Sequence, residues 1–148
     1  MYNPFSLAEK TILVTGASSG IGRASAIECS KMGAKLIITA RNEERLKETL
    51  TLLEGEGHQY IVADLLNKSE IDNLVLKIPV INGVVNNAGF NIVKLIPFIK
   101  SEDLSSMFKI NLKAPILLTN EIVKKKENQK KLFYRICFLY RKVYNFPS

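Results

Sequence analysis

The chain has 148 residues, 47% of them hydrophobic and 24% charged, with two cysteines and one histidine. That is the profile of one globular domain, long enough to bury its core without a disulfide framework or a structural zinc site. The net charge of +7 is uneven, because residues 1–120 carry 13 basic against 12 acidic residues while residues 121–148 carry 8 against 2, so no basic stripe marks the main body as a nucleic-acid binder.

Thr11-Ile-Leu-Val-Thr15 is a short β-branched run stopped by Gly16, the pattern of a strand buried on both faces. A helix follows over Ile21 to Met32, ended by Gly33, and Lys35 to Thr39 repeats the buried-strand pattern. Asn42 is placed to cap a helix from Glu43 to Leu53, whose first turn is acidic. Gln59 to Ala63 reads as a third strand, and Asn67 or Ser69 caps a helix through Ile71, Leu74, Val75 and Ile78. Ile81 to Val85 is the fourth strand, and Ser101 opens a longer helix through Leu104, Phe108, Asn111 and Leu112. His58, between a glycine and a glutamine, reads as an exposed turn residue.

Strands alternating with helices predict an α/β fold, a doubly wound parallel sheet in the order 3-2-1-4 with room for a fifth strand beside the fourth. Residues 1–125 form this part, and 126–148 are a basic, aromatic tail unlike the rest of the chain. A sheet that stops after four or five strands exposes an edge and predicts marginal stability. No leader pattern opens the sequence, no apolar run reaches about 18 residues and no C-x-x-C pair occurs, so a cytoplasmic, reducing setting without a membrane span is expected.

Gly16-Ala17-Ser18-Ser19-Gly20-Ile21-Gly22 lies between the first strand and the first helix, where helix N–H groups present partial positive charge. Glycines there let a pyrophosphate approach the backbone; the alternative is a tight turn with no ligand. After the second strand, where an acidic residue would accept the ribose hydroxyls of NAD, stands Ala40, followed by Arg41. A guanidinium can pair with a 2′-phosphate, which favours NADP over NAD, unless Arg41 is simply a solvated residue at the helix entrance.

With Asp64-Leu65 after the third strand, Asn86-Asn87-Ala88-Gly89 after the fourth and Lys109-Ile110-Asn111-Leu112 in the long helix, residues 8 to about 123 resemble the N-terminal part of the short-chain dehydrogenase/reductase family. The resemblance implies a Rossmann-like, NAD(P)-dependent oxidoreductase acting on a small carbonyl or alcohol, with homo-oligomers among its full-length members. It also implies cofactor contacts from Gly16, Ser18, Ser19, Gly20, Ile21, Gly22, Arg41, Asp64, Leu65, Asn87, Ala88 and Gly89. Asp64 would meet the adenine, Asn86 would support the sheet, and Asn111 would belong to the Asn-Ser-Tyr-Lys catalytic set. Without the family, Asp64 is a turn or helix cap, Asn86 and Asn87 are turn residues, and Asn111 is a helix amide in need of a hydrogen-bond partner.

The family chemistry needs a tyrosine with a lysine four residues later to lower a phenol pKa that is otherwise about 10. Tyr134, Tyr140 and Tyr144 are followed at that spacing by Phe138, Tyr144 and Ser148. The serine is missing as well, so the chain is expected to be truncated and inactive, with Lys130 to Arg141 a disturbed remnant of the fifth strand. The competing readings are a non-catalytic nucleotide-binding module, a gene remnant, and, for the tail, a basic amphipathic segment for a membrane surface or RNA.

Overall fold

The structure is a computed structural model that describes residues 4–127 and 135–138. Five parallel strands, β1 (Thr11–Thr15), β2 (Lys35–Ala40), β3 (Gln59–Val62), β4 (Gly83–Asn86) and β5 (Arg135–Phe138), form one sheet in the order β3-β2-β1-β4-β5. The expected order 3-2-1-4 holds, and the backbone of Arg135–Phe138 adds the fifth strand beside the fourth. Residues 128–134 and 139–148, which hold most of the atypical tail and Tyr134, Tyr140 and Tyr144, lie outside the described residues.

Alternation along the strands divides the core in two. Ile12, Val14, Leu36 and Ile38 pack on one face with Ala26 of α1 (Gly20–Lys31) and Leu46 of α2 (Glu43–Thr51). Leu13, Ile37 and Val84 pack on the other, under Ile71, Leu74 and Val75 of α3 (Lys68–Lys77) and Leu118 and Ile122 of α5 (Ala114–Glu127). Strands buried on both faces explain why β1 and β2 read as continuous apolar runs rather than alternating ones. Asn42 and Asn67 accept hydrogen bonds from Arg45 N–H and Ser69 N–H as the caps of α2 and α3.

Three local expectations change. β4 begins at Gly83 rather than Ile81, because Asn82 first turns its side chain to accept a hydrogen bond from Thr11 N–H at 2.8 Å. His58 is half-buried and pinned: Nδ1 accepts from Leu36 N–H at 3.0 Å, so the ring carries its proton on Nε2, 2.8 Å from the Glu54 carbonyl. It therefore ties the turn before β3 to the start of β2 instead of standing in solvent. The long helix is not uniform either, for α4 (Ser101–Phe108) passes through a π turn, Lys109–Lys113, before α5. Pro115 supplies the reason, since it has no N–H for the Asn111 carbonyl and its ring crowds that carbonyl in α geometry. Leu104, Phe108 and Leu112, spaced as a buried stripe, face outward at 41%, 58% and 52% exposure, while Ile110 and Ala114 face the core.

Candidate functional site

The chain leaves β1 for β2 and β3 on one side of the sheet and then crosses to β4 on the other, which opens a crevice at the carboxyl ends of β1 and β4. A cleft of about 300 Å³ occupies that end of the sheet.

Gly16, Ser18, Ser19 and Ile21 form one wall. Gly16 sits at φ +66°, where a Cβ would stand 2.8 Å from Ala88 Cα and 2.9 Å from Asn87 Nδ2, so only glycine lets the β1 turn lie against the β4 turn. Gly22 lies behind this wall, and a Cβ there would collide with the Gly16 carbonyl and the Asn87 amide. Gly20, at φ +54°, opens α1. Ser19 precedes α1 without capping it through its side chain, which leaves the first-turn N–H groups free to meet an anion.

The two turns are stitched together by two side chains. Thr15 Oγ1, buried, donates to the Val85 carbonyl at 3.3 Å and accepts from Asn87 N–H and Ala88 N–H, both at 3.0 Å. Asn87 Nδ2 donates to the Thr15 and Gly16 carbonyls at 3.2 and 3.3 Å. Asn87, Ala88 and Gly89 line the cleft, whereas Asn86 is buried at the end of β4 and does not.

The opposite wall comes from the ends of β2 and β3. Thr39, Ala40, Arg41, Asn42 and Arg45 supply the β2 side, and Ala63, Asp64, Leu65 and Leu66 the β3 side. Asp64 is oriented by two contacts: its Oδ1 accepts from Leu66 N–H at 3.0 Å, and its N–H donates to Glu70 Oε2 at 2.7 Å. Thr39 Oγ1 is buried in the cleft wall and has no hydrogen-bond partner among the described residues. Such a hydroxyl is costly unless a ligand or water completes it.

Arg23 fixes the glycine loop to α2. Its guanidinium donates to the Ser18 carbonyl at 2.7 Å, to Thr49 Oγ1 at 2.9 Å and to the Arg45 carbonyl at 3.3 Å, and it pairs with Glu48 at 3.0 Å. Thr49 Oγ1 also donates to the Ala17 carbonyl at 2.9 Å. The loop and the helix entrance carrying Arg41 and Arg45 thus hold a fixed spacing.

Asn111 lies in the π turn and does not line the cleft; its neighbour Ile110 does, with Phe90. The Asn111 amide is engaged at both ends, Oδ1 accepting from Phe90 N–H at 3.1 Å and Nδ2 donating to the Phe90 carbonyl at 2.9 Å. It thereby holds the segment after Gly89, where a Cβ would strike Asn111 Oδ1. Sequence reading passed over Thr39, Asn42, Arg45, Phe90 and Ile110 as cleft residues. For Arg45 a signal existed, a cation in the first turn of a helix, where the dipole favours anions.

Elsewhere among the described residues, no group of three His, Cys, Asp or Glu side chains is arranged for a metal, and no helix is long and apolar enough to cross a membrane. Burial, with the Glu28 carboxylate as a lesser cause, pushes the Cys29 thiol up, which disfavours its reactive thiolate.

A family model described as short chain dehydrogenase matches residues 10–131. The 3-oxoacyl-[acyl-carrier-protein] reductase FabG of Rickettsia felis is 40% identical over 119 residues, which are 80% of this chain and 49% of that protein. The chain therefore spans about half the length of the curated relatives it matches. Among solved structures, one described as a putative gluconate dehydrogenase from Agrobacterium tumefaciens superposes with a TM-score of 0.82 at 25% identity, over 90% of this chain and 55% of that one. A putative NAD(P) dependent gluconate 5-dehydrogenase from Beutenbergia cavernae, solved with NADP bound at low occupancy, gives a TM-score of 0.79 at 28% identity over 92% and 55% of the two chains. Fold, motifs and family match agree that the chain belongs to the short-chain dehydrogenase family of oxidoreductases.

Proposed function

We propose that the described residues form the NADP(H)-binding half of an oxidoreductase that transfers hydride between the nicotinamide and a small carbonyl or alcohol. The observation that carries the reading is one cleft lined both by Ser19 and Ile21 at the uncapped N-terminus of α1 and by Arg41, with alanine at the preceding position.

In this reading the first-turn N–H groups of α1 hold the pyrophosphate, Arg41 pairs with the 2′-phosphate, and the Asp64 carboxylate meets the adenine. Leu65 and Ala88 supply apolar wall, and the Thr15–Asn87 stitching keeps the cradle from spreading. When bound, the dinucleotide supplies the hydride, and the protein contributes placement and charge. For the whole protein, identity to the Rickettsia reductases supports a 3-oxoacyl thioester as substrate. The 148-residue polypeptide by itself holds no Tyr-x-x-x-Lys pair, which supports binding without turnover. Cytoplasmic residence accords with the sequence.

Side-by-side titration with NADPH and NADH tests the reading. NADPH is expected to bind the tighter by about tenfold or more, a difference of about 1.4 kcal/mol. Unchanged NADPH affinity in Arg41→Ala would overturn the cofactor assignment, and reduction of a ketone by the purified 148-residue polypeptide would overturn its inactivity.

A further inference from the structure

The glycine loop has a left-handed residue on either side of Ala17, Ser18 and Ser19, Gly16 at φ +66° and Gly20 at φ +54°. Glycine lets the chain turn at these points, and for the same reason the loop needs outside contacts to hold one shape. Thr15 and Asn87 supply such contacts at the β1 end, but their hydrogen bonds stop at Gly16. Ser18 and Ser19, which line the cleft, lie beyond them.

Arg23 reaches that part of the loop. Its Nη2 donates to the Ser18 carbonyl at 2.7 Å while its Nε donates to Thr49 Oγ1 at 2.9 Å, and the fully buried Thr49 hydroxyl lies 2.9 Å from the Ala17 carbonyl. Two successive loop carbonyls are thereby held from one place on α2. None of Arg23, Glu48 and Thr49 lines the cleft, so both carbonyls are drawn to the rear of its wall. That direction matters, because a peptide dipole turned with its oxygen toward an anion repels what the free N–H groups of a helix N-terminus attract. The ion pair with Glu48 adds little, since that side chain is 62% exposed.

We infer that Arg23 is a positioning residue of the nucleotide site, its planar fork keeping the Ala17–Ser18–Ser19 backbone turned so that the cleft accepts the diphosphate of a dinucleotide. This rests on the proposed cofactor reading and extends it to a side chain that stands behind the wall and touches no ligand. A bare cation at this place would draw in any anion, whereas a fork fixes the direction of the group it holds.

The test is binding of NADPH, NADH and 2′-AMP, which lacks the diphosphate, to the wild-type chain, Arg23→Gln and Arg23→Lys, by fluorescence titration and calorimetry. Arg23→Gln is expected to weaken both dinucleotides by about tenfold and leave 2′-AMP within about twofold. Arg23→Lys keeps the positive charge but lacks the planar fork, so it should still weaken both dinucleotides by about fivefold, and it carries the test if the glutamine variant fails to fold. Equal loss for 2′-AMP, unchanged dinucleotide affinity, or full recovery by lysine overturns the positioning role of Arg23 and leaves the cofactor reading standing. Wild-type chain that does not bind NADPH, or does not bind 2′-AMP, overturns the NADP(H) reading and this inference with it.

Discussion

The turns after β1 and β4 and the stretch from Val93 to Leu112 are built on opposite principles. In the first, Gly16, Gly22 and Gly89 have no room for a methyl group, and Thr15 and Asn87 spend their polar atoms on the facing backbone. In the second, Val93 and Ile96 stand 90% and 85% exposed, and Leu104, Phe108 and Leu112 present an apolar stripe to solvent. The contrast separates a site that must keep its geometry from a surface whose apolar groups the described chain does not cover. Rigidity here comes from close backbone approach, and hydrophobicity alone does not produce it.

Substitutions sharpen that contrast. The largest effect is expected from Gly22→Ala, whose new Cβ meets the backbone carbonyl of Gly16, which cannot move without opening the loop. It should cost about 3 kcal/mol, lower the melting temperature by about 10 °C and abolish measurable NADPH binding. Thr15→Val keeps the volume but strands the N–H groups of Asn87 and Ala88; about 2 kcal/mol should be lost in urea unfolding. Asn111→Leu removes the two hydrogen bonds to Phe90 and should cost about 1–2 kcal/mol, with a loss of hydrogen-exchange protection centred on Phe90. Ile96→Ser, in the uncovered stretch, should change stability by less than about 0.5 kcal/mol while raising solubility, and a larger loss would mean that this surface is covered after all.

Much of this was legible in the sequence because it follows from short-range rules. The five-residue apolar run of β1 is bounded by Gly16, Asn42 caps α2 through its own side chain, and the alternation of strands with helices fixes the order of the first four strands. What escaped depends on contacts between distant residues. Nothing near Thr15 announces that its hydroxyl serves Asn87 and Ala88, and nothing near His58 announces that it reaches Leu36. The π turn was announced by Pro115, but only if it is read as a withdrawn donor for Asn111 rather than as an ordinary early-helix proline. Spacing at Leu104, Phe108 and Leu112 correctly marked an apolar face; periodicity cannot say whether the same chain packs against it.

The hydrogen bonds that lock Thr15 to Asn87 and Ala88 join residues 72 and 73 positions apart. Contacts of that separation carry the entropic cost of closing a long loop and exist only where β4 has joined β1. The close fit of the β1 and β4 turns is thus a product of finished assembly, and the glycine segment alone has the right letters but not the shape. A nucleotide that recognises the cradle should slow global unfolding of the sheet rather than protect α1 by itself, and a chain cut before Asn87 should lose that response altogether.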